Sequence, residues 1–456
     1  MVIDRSKNIF QFLIRTLVIA ILLFLCFELI WNDEVNYSVL SVVVLILSIS
    51  EIVMLIFNDN VYGSGLTMIF FLYTLLVHNG FVIAYLFDKS YISYQSSLSM
   101  AFVSNPYYSK AIIIANIIIG AFVLSAEINK KEETHHVYIV KQQEISNEGD
   151  IAANTIGLIG LLVGGLYLAY IVYSDGLWLA GYSSTLSTLD NNSVYGFTVI
   201  ITSLSIALLI GGGTKKAIYL GLVLYFIISL LHFSMGNRGE VMYAAVICFA
   251  LYSIRFKTIK LRHVIIGVFV AIILIPLVRF ARELKMNLYT LNPLRSFLDV
   301  LCEEGIEISP FTYTVQCVET KYGHAYGLTY LNDFLDFLCR RFGTNSPIAV
   351  KKNIIKEIMP YSGMAYSMVA ELYYNFGVVV AAVIYSIFAQ ALKKLDADIY
   401  YGNISDKKKI FFSMVMVEMI NLTRNDASTL PLYLAFIGII YVVYSLLLHI
   451  MKIEKN

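Results

Sequence analysis

Charge is scarce in this sequence of 456 residues: 14% is Asp, Glu, Lys or Arg, against 58% hydrophobic residues. With a mean hydropathy of +0.73, the chain cannot furnish the polar surface of a water-soluble globular protein, and a soluble enzyme is excluded. Cysteine is scarce too, five residues with no CxxC spacing, so nothing indicates a thiolate metal site. Cys26 and Cys248 fall in apolar runs as packing residues, whereas Cys302, Cys317 and Cys339 share one loop, where a disulfide is allowed but not required. No GxxxxGK[ST] phosphate-binding pattern occurs, and the longest linker on the basic side of the chain, residues 130–150, has no room for a nucleotide-binding fold. ATP-driven transport by this chain alone is therefore excluded. His135 and His136 in that linker have the wrong spacing for a metal pair and read as solvated side chains. No internal repeat or low-complexity tract is visible.

What is abundant is long apolar runs. Twelve are long enough to cross hydrocarbon, at about 9–30, 35–57, 61–87, 108–126, 151–174, 194–213, 217–235, 240–256, 264–281, 364–392, 409–424 and 429–450. They are too long and too uniform for barrel strands, and in lipid a helix satisfies its own backbone. The expectation is an all-α, polytopic membrane protein forming one domain over residues 1–456, with its first span retained rather than cleaved as a signal peptide. Lys and Arg gather in alternate connections, such as Lys215 and Lys216, Arg255 to Arg262, and Lys393 to Lys409. That bias places both termini in the cytoplasm and leaves one long external segment, residues 282–363. Within it, residues 327–344 set Leu331, Phe334, Leu335, Leu338 and Phe342 on one helical face, with Asn332, Asp333, Asp336, Arg340 and Arg341 on the other. This predicts an amphipathic helix at the membrane surface.

Charges beside apolar runs need a partner, a cavity or an interface, because an unpaired ion in mid-bilayer costs about 2.5–3.5 kcal/mol. Arg238 and Glu240 occupy the turn between the seventh and eighth runs, Arg279 and Arg282 close the ninth, and Arg295 follows. Glu371 and Asn375 share a face of the tenth run, and Arg424 with Asp426 ends the eleventh. Each of these alone reads as an interfacial or snorkelling residue. Together, on one side of the membrane, the arginines suit a diphosphate, since the guanidinium is always charged and chelates two oxygens at once. Glu371, then Glu240, are the candidate general bases, with His324 a further one; the competing reading pairs Glu371 with an arginine to hold helices together. Tyr322, Tyr326 and other external aromatics suit sugar faces as well as an ordinary interfacial belt.

Three segments, SMGNRGE at 234–240, AELYYNFG at 370–377 and TRND at 423–426, resemble the bacterial oligosaccharide repeat-unit polymerases of the Wzy type, which build O-antigen or capsular polysaccharide. The resemblance implies a GT-C-like architecture and a metal-independent glycosyltransferase without cofactor. Undecaprenyl-diphosphate-linked oligosaccharide would serve as both donor and acceptor at the outer face of the cytoplasmic membrane. Arg238, Arg279, Arg282 and Arg424 would grip the diphosphate, Arg282 also acting in catalysis beside Glu371 and Glu240, with Asn237, Tyr374, Asn375 and Asp426 in support. The amphipathic helix would either pack on the span mouths or cover the lipid-linked substrate. A chain-length regulator is a further partner that the resemblance allows; nucleic acid is not a partner. The alternatives are an O-antigen ligase, which shares the topology and relies on a loop histidine, and a flippase, which would spread charge through the bilayer and carry a repeat.

Overall fold

The computed structural model describes residues 2–31, 36–57, 65–87, 105–128, 150–178, 185, 188–189, 193–235, 239–256, 293–344, 346–348 and 366–453. Among them there is no strand. In chain order the helices are α1 (Val2–Trp31), α2 (Tyr37–Phe57), α3 (Leu66–Phe87), α4 (Tyr108–Ile128), α5 (Ile151–Ser174), α6 (Ser193–Gly212), α7 (Lys215–Ser234) and α8 (Gly239–Arg255). They continue as α9 (Pro293–Gly305), α10 (Ile308–Cys317) with a π-helical turn at Val318–Tyr322, α11 (Leu328–Arg341), α12 (Met368–Tyr400), α13 (Asp406–Asn421) and α14 (Leu430–Ile453). Nine of the described helices are long and apolar enough to cross a membrane, as a chain with so little charge requires.

The expected spans coincide with these helices, except that 264–281 lies outside the described residues. Two are short: α8 has 17 residues and α13 has 16, about 24–26 Å each against roughly 30 Å of hydrocarbon. The five cysteines are free thiols, so the allowed disulfide is not formed.

Long-range hydrogen bonds sort the helix termini into two ends of the bundle. At one end Asp396 of α12 caps α3 from across the fold, accepting the Leu66 and Thr67 N–H groups at 2.9 Å each and the Thr67 hydroxyl at 2.7 Å. Asp150 caps α5 through the Ala152 N–H and also accepts the Tyr444 hydroxyl, while Arg255 donates to the Ile210 and Gly213 carbonyls at the end of α6. At the other end lie the start of α12, the α13–α14 turn and the tip of the α9–α10 hairpin, tied together by the bonds described below. Between the two ends, α4 and α12 exchange serine bonds, Ser125 to the Ser386 carbonyl and Ser386 to the Ala121 carbonyl. Asn79 and Asn116 form a reciprocal amide pair in the core.

Within the segment expected to be external, α9, α10 and α11 are helical. α9 and α10, joined through Ile306 and Glu307, form a hairpin that packs along α3, α4 and α12. Two glycines allow it. A Cβ on Gly305 would stand 2.1 Å from the Phe81 backbone nitrogen, and one on Gly80 would stand 2.6 Å from the Leu301 carbonyl oxygen. Gly80 lies seven residues before the end of α3, so the hairpin tip reaches about 10 Å down that helix. Ile308, Phe311 and Val315 are fully buried along its inner side. Its far end is pinned to the start of α4 by the ion pair Lys110–Glu319, 2.6 Å, and by Asn105 donating to Gln316 at 3.0 Å.

Candidate functional site

The hairpin tip carries two carboxylates that meet one cation. Arg424, in the turn after α13, donates from Nε to Glu307 Oε1 at 3.1 Å and from Nη1 to Glu304 Oε2 at 2.9 Å. Glu307 is 1% exposed, while the Glu304 and Arg424 side chains keep 17% and 22%. Nη2 of Arg424 makes no hydrogen bond among the described residues. Tyr73 of α3 and Tyr243 of α8, packed edge to face with centroids 6.1 Å apart, stand close enough to feel the guanidinium charge. Burial pushes the Glu307 carboxyl up from 4.5 to about 7, against the pull of Arg424. The cluster therefore carries one negative charge when both carboxyls are ionised and none when Glu307 holds its proton.

A second cluster adjoins it at the start of α12. Ser367 caps the helix through the Ala370 N–H, and the Met368 N–H donates to the Leu422 carbonyl, docking α12 on the α13–α14 turn. Glu371, 1% exposed, accepts the Thr329 hydroxyl on Oε1 and the Ala427 N–H on Oε2, both at 2.8 Å. Asn375, one turn on, donates to Thr329 Oγ1 at 2.7 Å and to the Glu371 carbonyl at 2.8 Å, and its Oδ1 accepts the Gly327 N–H at 3.0 Å. Asn375 thus supplies the N-terminal cap that Gly327, the residue at the cap position of α11, cannot.

At Gly377 the chain turns to φ 74°, a left-handed conformation that favours glycine, and breaks α12. The carbonyls of Tyr374 and Asn375, freed by that break, accept the N–H groups of Ala325 and Tyr326 at 2.9 and 2.8 Å. The NFG of AELYYNFG is thus a kink that receives the loop before α11.

α11 is the amphipathic helix expected over 327–344, but its faces are reversed relative to a helix packed by its apolar side. Thr329 and Asp333 are its buried residues, and Leu328, Leu331, Phe334 and Leu338 are exposed. A polar interior on one side and hydrocarbon on the other account for that orientation.

Of the residues singled out in the sequence, Glu371, Tyr374 and Asn375 come together with the TRND turn that holds Arg424 and Asp426. Asp426 bends back on its own turn, accepting the Ser428 N–H at 3.1 Å. Asn237, Arg238, Arg279 and Arg282 lie outside the described residues, as does the side chain of Glu240, the second residue of α8. His324 packs edge to face on Tyr373 with its Nδ1 3.3 Å from the Tyr374 carbonyl oxygen, in the kink rather than beside the charges. Glu304, Glu307 and Thr329 were not anticipated; the signal for the first two is the acidic run EEGIE around a glycine, at 303–307.

The geometry offers chemistry of one kind. A partly exposed carboxylate, able to take a proton from a hydroxyl, is held by a partly exposed arginine whose remaining guanidinium edge is able to bind an anion. The family described as O-antigen polysaccharide polymerase Wzy matches residues 12–454. "Protein CapE" of Staphylococcus aureus is 20% identical over 411 residues, which cover 88% of each chain. No solved structure matches.

Proposed function

We propose, from the premise that this chain belongs to the O-antigen polysaccharide polymerase Wzy family, that it joins undecaprenyl-diphosphate-linked repeat units at the outer face of the inner membrane. The distribution of Lys and Arg supports turning the Arg424 end outward, with both termini in the cytoplasm. The observation that carries the reading is the Arg424–Glu304–Glu307 cluster at the tip of an inserted hairpin. A charged group at that depth is expensive unless it serves a site.

In the reaction, an acceptor sugar hydroxyl attacks the anomeric carbon of the growing chain. A new glycosidic C–O bond forms, the bond from that carbon to the diphosphate oxygen breaks, the hydroxyl proton passes to a carboxylate, and undecaprenyl diphosphate leaves. Glu304 is the base best placed to accept that proton, being paired with Arg424 and partly exposed. Glu371, with both carboxyl oxygens occupied by Thr329 and Ala427, is a positioning residue. Arg424 offers Nη2 to the departing diphosphate, and Arg238, Arg279 and Arg282 complete the grip, stabilising charge as it develops. Protonation of Glu307 removes the local negative charge that would oppose an arriving diphosphate.

The test is reconstitution. Protein in lipid nanodiscs, given the lipid-linked repeat unit extracted from a strain lacking its polymerase, should lengthen it without ATP or divalent metal. Loss of activity on EDTA treatment with recovery on magnesium, or an absence of elongation, would overturn the proposal.

A further inference from the structure

Resting on that reading, we infer that Tyr326 is a stacking platform for a pyranose ring of the lipid-linked oligosaccharide. Among the described residues it is the one non-glycine with positive φ, 51°, a conformation that strains an L-residue with a bulky side chain. The strain does no work inside the fold: Tyr326 is 79% exposed. Its backbone, by contrast, is fixed on both sides. The Tyr326 N–H is held by the Asn375 carbonyl at 2.8 Å, the Ala325 N–H by the Tyr374 carbonyl at 2.9 Å, and the following Gly327 N–H by Asn375 Oδ1 at 3.0 Å. His324 stands edge on to the ring, centroids 6.4 Å apart.

A fold that only needed a left-handed residue here would accept Gly or Asn without strain. The same short loop has glycines at that conformation on either side, Gly323 at φ 65° and Gly327 at φ 84°. A rigidly aimed, exposed aromatic face at this point, one bond from the Asn375 and Glu371 cluster, is what a sugar's apolar face would rest on. Preorganised strain of this kind belongs to binding sites. The phenol face needs no particular hydroxyl pattern, so the platform would orient a pyranose without selecting among sugars.

The experiment compares Tyr326→Asn and Tyr326→Phe with the parent protein, using the extracted lipid-linked repeat unit as substrate. Tyr326→Asn should leave the thermal midpoint unchanged or raised, since Asn tolerates this backbone, while KM rises about tenfold. Tyr326→Phe should keep KM within about threefold. An unchanged KM in Tyr326→Asn overturns the inference, and so does an equal loss in Tyr326→Phe, which would assign the effect to the hydroxyl rather than the ring face. If the parent protein fails to elongate at all, it is the polymerase reading that fails.

Discussion

The two ends of the bundle handle buried carboxylates differently. At one end Asp396 accepts three hydrogen bonds from the first residues of α3, so its charge answers backbone donors that would otherwise be unsatisfied. At the other, Glu304 and Glu307 share a single guanidinium, and two negative charges converge on one positive. The first arrangement closes a helix terminus. Among the described residues the second leaves a partly exposed carboxylate and a guanidinium nitrogen that makes no hydrogen bond, neither of which stability asks for. An ionic group at a helix end is structural when its partners are backbone amides, and it is a candidate for chemistry when its partners are other ions that keep some exposure.

Breaking the cluster at its cation should have the largest effect. Arg424→Ala strands the buried Glu307 carboxylate together with the partly exposed Glu304, with about 3–5 kcal/mol lost, and should abolish polymer in the chain-length ladder; Arg424→Lys should not restore it, because a point charge cannot bridge both acids. Glu304→Gln and Asp396→Asn set the two ends directly against each other. Glu304→Gln should lower kcat about 10²–10⁴-fold with little change in thermal midpoint. Asp396→Asn should cost about 1–2 kcal/mol of stability while turnover per folded molecule is kept. Equal behaviour of the two variants would erase the distinction.

The smallest effect is in pH dependence. Glu307 keeps its proton to about pH 7 in the folded protein, whereas an unfolded carboxyl loses it near 4.5. Between those values the folded state binds more protons, so this contribution to stability falls as pH rises and levels off above about 7. The difference in thermal midpoint between the parent and Glu307→Gln, followed from pH 4 to pH 8, should show that slope and then flatten.

The spans were legible because nothing in water-exposed sequence imitates twenty apolar residues. Arg424, Glu371 and Asn375 were legible for the complementary reason, as polar groups in apolar surroundings. Their partners were not. Glu304 and Glu307 stand in PLRSFLDVLCEEGIE, within the long segment read as external, where acids are ordinary. What inserts it is the contact between Gly305 and Gly80, over two hundred residues apart in the chain, and no local pattern encodes that. The direction of α11 was hidden in the same way. Periodicity separates the polar face from the apolar one, but only the bonds of Thr329 to Glu371 and Asn375 say which of them looks inward.

The inserted hairpin also sets a schedule for biogenesis. α3 and α4, which cradle it, are made long before it, but α12 and the arginine that neutralises its two acids are made after it. While Arg424 is still unsynthesised, the EEGIE tip has reason to stay in water, and it can settle between the helices only when the last pair has threaded the bilayer. The earlier spans can all be in place in a nascent chain whose Arg424–Glu304–Glu307 cluster is still unassembled, so the candidate site forms only once α13 and the turn after it are made.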